Sequence, residues 1–244
     1  MKIISTVPSQ TELLYDLGLH DEVVGITKFC VHPKEWFRSK RRIGGTKDLK
    51  IDLIKSLEPD LVIANKEENV KEQIESISSF TKVYLSEIKN IDDNYQLIDN
   101  IAALTNKQER GKQLKNQLRD CVKNLSTIPD KTAVYLIWKN PLMTVGGDSY
   151  IHFMLELMGI QNLTGHKKRY PEIKMEEIKS MKPDLLLLSS EPFPFKEKHL
   201  SEFQAALPDT RVLLVDGELF SWYGSRLIKL YPEAIELRRK IHLR

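Results

Sequence analysis

Cysteine is scarce in this chain: Cys30 and Cys121 are the only two in 244 residues. That excludes a disulfide framework and a Cys-rich metal site. No apolar run approaches the ~18–20 residues of a membrane-spanning helix. The opening MKIISTVPSQTELLYDLG has no apolar stretch of the secretory type, because Pro8, Ser9, Gln10, Thr11 and Glu12 interrupt it. Neither sign of charge dominates. Lys and Arg number 37 against 34 Asp and Glu, and a formal charge of +3 is too mild to point to nucleic acid. Catalytic signatures are missing too: the chain has no GxSxG, HExxH or GxxxxGK[ST]. The expectation is therefore a protein that is not an enzyme, with no catalytic residue, no directly held metal ion, no intrinsic cofactor and no nucleic-acid partner.

What is present is an internal repeat. IDLIKSLEPD at 51–60 is matched by MEEIKSMKPD at 175–184, an offset of 124. LVIANKEEN (61–69) then lies opposite LLLLSSEPF (185–193), which sets Glu67 against Glu191. Upstream, STVPSQTELLYDLGL resembles MTVGGDSYIHFMLELMGI, and aligning Gly18 with Gly159 gives an offset of 141. The 17-residue difference places extra chain in the first copy, between Gly18 and Ile51.

Each copy reads as alternating β and α units. Short apolar runs predict strands at Ile3–Val7, Val23–Ile26, Leu61–Ala64, Lys82–Leu85, Ala133–Trp138, Leu185–Leu188 and Val212–Val215. Helical spacing predicts helices over Thr11–Leu17, 51–57, Tyr150–Met158 and 175–181, with Gly18 and Gly159 placed to end two of them. This is an α/β protein with mainly parallel sheets. Between the copies, residues 92–126 hold no proline and one glycine, Gly111, and carry an apolar stripe from Leu97 to Leu125. The expected organisation is an N-terminal lobe (1–91), a connecting helix (92–126) that breaks, if anywhere, near Gly111, and a C-terminal lobe (127–244). A continuous helix of that length would run on the order of 50 Å. A strut of this kind predicts a cleft between the lobes.

Ligands of open α/β sheets sit at the carboxyl ends of the strands, so the loops that follow strands supply the candidates. In the first lobe these are Pro8 and Ser9, Phe29 and His32, Gly45 and Thr46, and Glu67 and Glu68. Ser9 and Thr11 have a plainer use as helix caps, and Gly44-Gly45 as a turn. In the second lobe they are Trp138, Arg169, Tyr170, Glu191, Phe193, Ser221, Trp222, Tyr223 and Arg226. Phe193 and its neighbours have a second reading, packing on their own lobe's core; Arg226 has another, an ion pair with Asp216 or Glu218. Aromatic faces with polar tips suit a large planar or macrocyclic ligand. His20, His199 and His242 read as surface or terminal residues; His32 and His166 are the histidines of interest. The basic run Lys34, Arg38, Lys40, Arg41 and Arg42, beside Trp36 and Phe37, reads as an amphipathic surface segment.

The phrases VPSQTELLYDLGL…VVGIT, GGTKDLKIDLIKSLEPDLVIA, WKNPLMTVGGDSYI, RYPEIKMEEI, LLLLSSEPFPF and VDGELFSWYGSR resemble the class III periplasmic binding proteins of ABC importers. This is the helical-backbone metal receptor superfamily, and the phrases look most like its cobalamin-binding subgroup. The resemblance covers essentially the whole chain. It implies capture of a corrinoid or other metal-chelate ligand for an importer. The alternatives on the same two-lobe scaffold are a receptor for a bare metal ion, a metal–siderophore or haem, and, from another class, a cytoplasmic enzyme or sensor. It also implies a monomer whose partners are a small molecule and a membrane permease, with Glu72, Glu75, Glu197 and Glu202 as candidate docking residues. A periplasmic or cell-surface location follows from the resemblance, a cytoplasmic one if Met1 is the native start.

Overall fold

The structure, a computed structural model, describes residues 1–125 and 130–242. They form two compact units. The elements of the first half are β1 (Ile3–Ser5), α1 (Pro8–Asp16), β2 (Val23–Ile26), α2 (Lys34–Ser39), β3 (Arg41–Arg42), α3 (Ile51–Ser56), β4 (Leu61–Asn65), α4 (Lys71–Ser78), β5 (Lys82–Ser86), α5 (Ile91–Leu104) and α6 (Gln108–Leu125). Those of the second half are β6 (Lys131–Leu136), α7 (Tyr150–Leu157), β7 (Ile160–Asn162), α8 (Met175–Met181), β8 (Leu185–Ser189), α9 (Glu197–Ala206), β9 (Arg211–Val215), α10 (Gly217–Ser221), α11 (Arg226–Lys229) and α12 (Tyr231–His242).

The first unit is built on a parallel sheet ordered β3-β2-β1-β4-β5. All five residues of β4 are buried, as a central strand covered on both faces requires. Ile4, Val62 and Ala64 pack with Ile43, Ile54 and Ile77 on one such face. Pro8 opens α1 with its φ already helical and no backbone N–H to satisfy. Gly18 follows that helix at φ 79°, a conformation glycine adopts without steric cost. No side chain caps the start of α1; Thr11 instead donates from its hydroxyl to the Val7 carbonyl.

The second unit carries a parallel sheet ordered β7-β6-β8-β9. Its core joins Val134, Leu136, Leu186 and Leu188 to Phe195 and Phe203. The two sheets share one order: β2-β1-β4-β5 corresponds to β7-β6-β8-β9. The extra chain of the first copy holds α2 and β3.

Several elements differ from expectation. The first strand stops at Ser5 rather than Val7, because Val7 is already the residue that caps α1. β6 runs from Lys131 to Leu136 rather than from Ala133 to Trp138. β7 and β3 are too short to show a strand period, and α4, α9 and α12 were not anticipated. The stripe from residue 92 belongs to two helices. α5 ends at Leu104, Asn106 takes a left-handed φ of 57°, and the Lys107 amide returns to the Ala102 carbonyl at 2.8 Å. Asparagine tolerates that conformation, so the break falls at residues 105–107 and not at Gly111. Gly111 lies inside α6, where a Cβ would come within 2.6 Å of the Ala102 methyl; the glycine permits close approach of α5 and α6. The chain leaves the first unit within α6, between Leu118 and Arg119, and residues Tyr223–Arg226 belong to the first unit again. The expected boundary at 126 and 127 lies outside the described residues.

Candidate ligand-binding site

In the first unit the carboxyl edge of the sheet is a buried polar network. Strand β4 ends on Asn65, whose side-chain oxygen accepts the amides of Glu67 (2.8 Å) and Glu68 (3.3 Å) and so turns the chain after the strand. Asn69 closes the turn: its Oδ1 accepts from the Asn65 amide at 2.9 Å and the Thr6 hydroxyl at 2.8 Å. Gln10, fully buried on α1, donates to the Ser86 hydroxyl (2.6 Å), the Ala64 carbonyl (3.2 Å) and the Tyr223 hydroxyl (3.3 Å). Burial holds the Glu68 carboxyl above its ordinary range; Lys47 opposes the shift and Glu67 adds to it. The Tyr223 phenol is pushed up by burial first and by the Glu68 charge second.

Arg226 is paired with Glu12, its Nη1 3.0 Å from Oε1, and both side chains are almost dry. Its Nη2 lies 3.4 Å from His32 Nε2. An ion pair was anticipated for Arg226 with Asp216 or Glu218; the pair seen is with Glu12. Cys30 is fully buried between the Thr11 and Thr27 hydroxyls at 3.0 and 3.1 Å, and burial raises its thiol pKa. Outside this network stands Phe29, in the loop after β2, 50% exposed. A Cβ on Gly45 would come within 3.1 Å of its ring.

The second unit repeats the turn after β4 in simpler form. β8 ends on Ser189, whose Oγ accepts the Glu191 amide at 3.3 Å. The Glu191 Oε1 accepts from the Ser221 hydroxyl (2.7 Å) and the Trp222 indole N–H (3.0 Å). Burial raises the Glu191 pKa, those two hydrogen bonds oppose the rise, and Glu218 and Asp216 add to it. Close to this turn, Tyr135 donates to Ser189 at 3.0 Å and stacks at a tilt on fully buried Phe220. Trp138, after β6, is 38% exposed and meets the Phe193 ring edge-on at 5.7 Å. Phe193 in turn packs on its own unit's core. Arg169 is exposed with a left-handed φ of 58° and its amide donates to Asp148 at 2.6 Å, beside half-buried Tyr170.

The candidates thus fall into separate groups. Ser9, Thr46, Glu67, Glu68 and Tyr223 border the first unit's network, with Pro8 at the start of α1. Tyr223 was expected from the second lobe; it belongs to the first unit, while Trp222 stays in the second. Among the three surface or terminal histidines, His199 is buried against Phe193 and Phe195 and its ring accepts the Lys196 amide. His242 pairs with Asp130 at 2.6 Å. Gln10, Glu12 and Ser86 were missed, and Asn65 and Asn69 were seen only as the ends of the loop that holds Glu67 and Glu68. The signal was readable: an apolar strand that ends on a buried amide or hydroxyl, as LVIAN and LLLLS do, is spending a core position on hydrogen bonding. Among the described residues no three His, Cys, Asp or Glu side chains group to hold a metal ion.

The periplasmic binding protein family matches residues 3–213. The chain belongs to that family, and within it to the class III substrate-binding proteins of ABC transporters. It is 27% identical to an uncharacterized ABC transporter substrate-binding lipoprotein of Bacillus subtilis over 251 residues, covering 96% of this chain and 79% of that one. It is 24% identical to a vitamin B12-binding protein of Vibrio campbellii over 77% of this chain and 70% of that one. The fold is that of the periplasmic vitamin B12 binding protein of Vibrio cholerae, with a TM-score of 0.83 and 18% identity over 100% of this chain and 98% of that one. A periplasmic haem binding protein of the same organism superposes equally well, with a TM-score of 0.83 and 20% identity over 100% and 99%. All four are named as binding proteins, the Bacillus subtilis one as that of an ABC transporter.

Proposed function

We propose that this protein captures a corrinoid or another metal-chelate ligand outside the cytoplasm and delivers it to an ABC importer. One observation carries the choice of a large, flat ligand. Only Phe29, Phe37 and Trp138 are exposed aromatics among the described residues, and two of them stand at strand carboxyl ends, one in each unit. Leaving such rings in water costs free energy that a macrocycle's face recovers. Amide and hydroxyl groups of the neighbouring turns supply polar contacts for the rim of such a ligand. The relatives that bind vitamin B12 and haem support this ligand class. Glu72 and Glu75 on α4, and Glu197 and Glu202 on the corresponding helix α9, are exposed and are the candidate contacts for a permease. Absorbance titration of the purified protein with cyanocobalamin, with haemin and with free divalent metal ions tests the reading. Saturable spectral change with either chelate supports it. Saturation by the free ion alone overturns it in favour of a metal receptor.

A further inference from the structure

The basic segment of the first unit takes no part in the site above. Residues 34–42 hold Lys34, Arg38, Lys40, Arg41 and Arg42 against Glu35, a net +4 in a chain whose total is +3. The rest of the protein therefore carries a formal net charge of −1, and the net positive excess lies in residues 34–42, which hold α2 and β3. These elements lie in the extra chain of the first repeat, so the second unit has no counterpart.

Local packing fixes how this charge is displayed. Trp36 is buried on the inner side of α2, edge-on to Tyr15 at 5.3 Å and to His20 at 5.9 Å. That anchor turns Phe37 outward, where it is 38% exposed. The Arg42 guanidinium lies over the Phe37 ring at 4.3 Å. Beside edge strand β3 opens a groove of about 700 Å³ lined by Lys40, Arg41, Arg42 and Lys50, with Asp21 its one acidic residue and Val23, Val24 and Leu53 among its apolar ones. Lys40 donates to the His20 carbonyl. Lys34, Arg38, Arg41 and Lys50 are exposed, and their side chains make no hydrogen bond or ion pair with the described residues.

We propose that α2 and the groove beside β3 dock the protein on the anionic surface of a phospholipid membrane. Headgroup phosphates would meet Arg38, Arg41 and Lys50, and the Phe37 ring would enter the boundary between headgroups and acyl chains. Clustered Lys and Arg draw a protein to anionic lipid, and an exposed aromatic adds apolar contact that water does not offer. The surface favours a membrane over a free anion. One phosphate neutralises one or two of these cations and leaves Phe37 bare, whereas a lipid layer offers a row of phosphates and an apolar layer together. Such docking would hold the protein where a membrane partner works, and it does not depend on which ligand is carried.

The test is co-sedimentation of the full chain with vesicles of phosphatidylcholine alone and of phosphatidylcholine with phosphatidylglycerol, at low and high salt. The expected result is binding to the anionic vesicles only, weakened by salt. Each cation at the surface contributes about fivefold to the partition, so Arg38→Gln/Arg41→Gln should lower it about twenty-fivefold, and Phe37→Ser should lower it several-fold. All three residues are exposed, and circular dichroism and unchanged ligand titration would show the variants folded. Failure of the native chain to sediment with anionic vesicles overturns the proposal. So does native binding by either variant, or binding of inorganic pyrophosphate at this groove without vesicle association.

Discussion

Removing the Glu12 carboxylate should cost more stability than any surface charge change in this chain. Glu12 sits on α1, and Arg226 belongs to the four-residue segment that returns to the first unit; 214 residues separate them. Their side chains are 3% and 10% exposed, and Arg226 Nη1 reaches both carboxylate oxygens, at 3.0 and 3.4 Å. In so dry a setting the loss of one partner leaves a charge with neither water nor its counter-ion. That costs about 3–5 kcal/mol, a large part of a domain's ~5–15 kcal/mol. Three further contacts hold the same segment: the Tyr223 hydroxyl to Gln10, Gly224 to Asn94, and Ser225 to Asp16. They keep the segment in place when the pair is cut, so Glu12→Ala should lie near the lower figure, about 3 kcal/mol. Replacing both residues, as Glu12→Met/Arg226→Met, removes both charges and should recover most of that loss. Urea unfolding of the two single variants and the double variant measures this. A drop below about 0.5 kcal/mol in Glu12→Ala, or a double variant no better than the worse single one, would refute the reasoning.

Cys30 and Cys121 are both buried, and burial raises both thiols; they should resist a disulfide reagent at pH ~8 in the folded protein and react fully in denaturant, and fast labelling of the native chain would contradict this. Glu191 has a raised pKa in the folded state, so the stability it contributes is full below the ~4.3 of an unfolded glutamate and is lost as pH rises through the raised value. Glu191→Gln, which keeps an oxygen for Ser221 and Trp222, should therefore match the native protein near pH ~4 and exceed it near neutrality; a gap that is constant or reversed in an unfolding series counts against the assignment. Reversal of charge at Glu72 and Glu75 together with Glu197 and Glu202 should abolish uptake of the ligand while its affinity for the isolated protein stays unchanged; normal uptake would remove these residues as permease contacts.

The sheets were legible because fully buried parallel strands read as short apolar runs, and β4 and β8 are such runs. The duplication was legible because the matched Pro-Asp turns precede those strands at a fixed offset. Shorter elements carried no period: β3 has two residues and β7 three. The end of α5 was misplaced because glycine, the usual breaker, was serving close helix approach at Gly111, and Asn106 took the left-handed turn instead. Phe29 and Trp138 were candidates from their place after strands, and both are exposed. The buried network was not legible, because Gln10, Asn69 and Ser86 become partners only when α1, β4 and β5 are set side by side. Arg226 shows the same limit: its counter-ion lies 214 positions away, and sequence proximity pointed to Asp216 and Glu218.

The most direct test of the account is the affinity of Phe29→Ser and, separately, of Trp138→Ser for the chelate that saturates the native protein. Truncating an aromatic that contacts a ligand commonly costs on the order of 1–2 kcal/mol. A variant that removes a ring the ligand meets should therefore bind about tenfold more weakly, with an unfolding midpoint close to native because both rings are exposed. Native affinity in both folded variants would contradict the claim that an exposed ring at the carboxyl end of a strand meets the ligand.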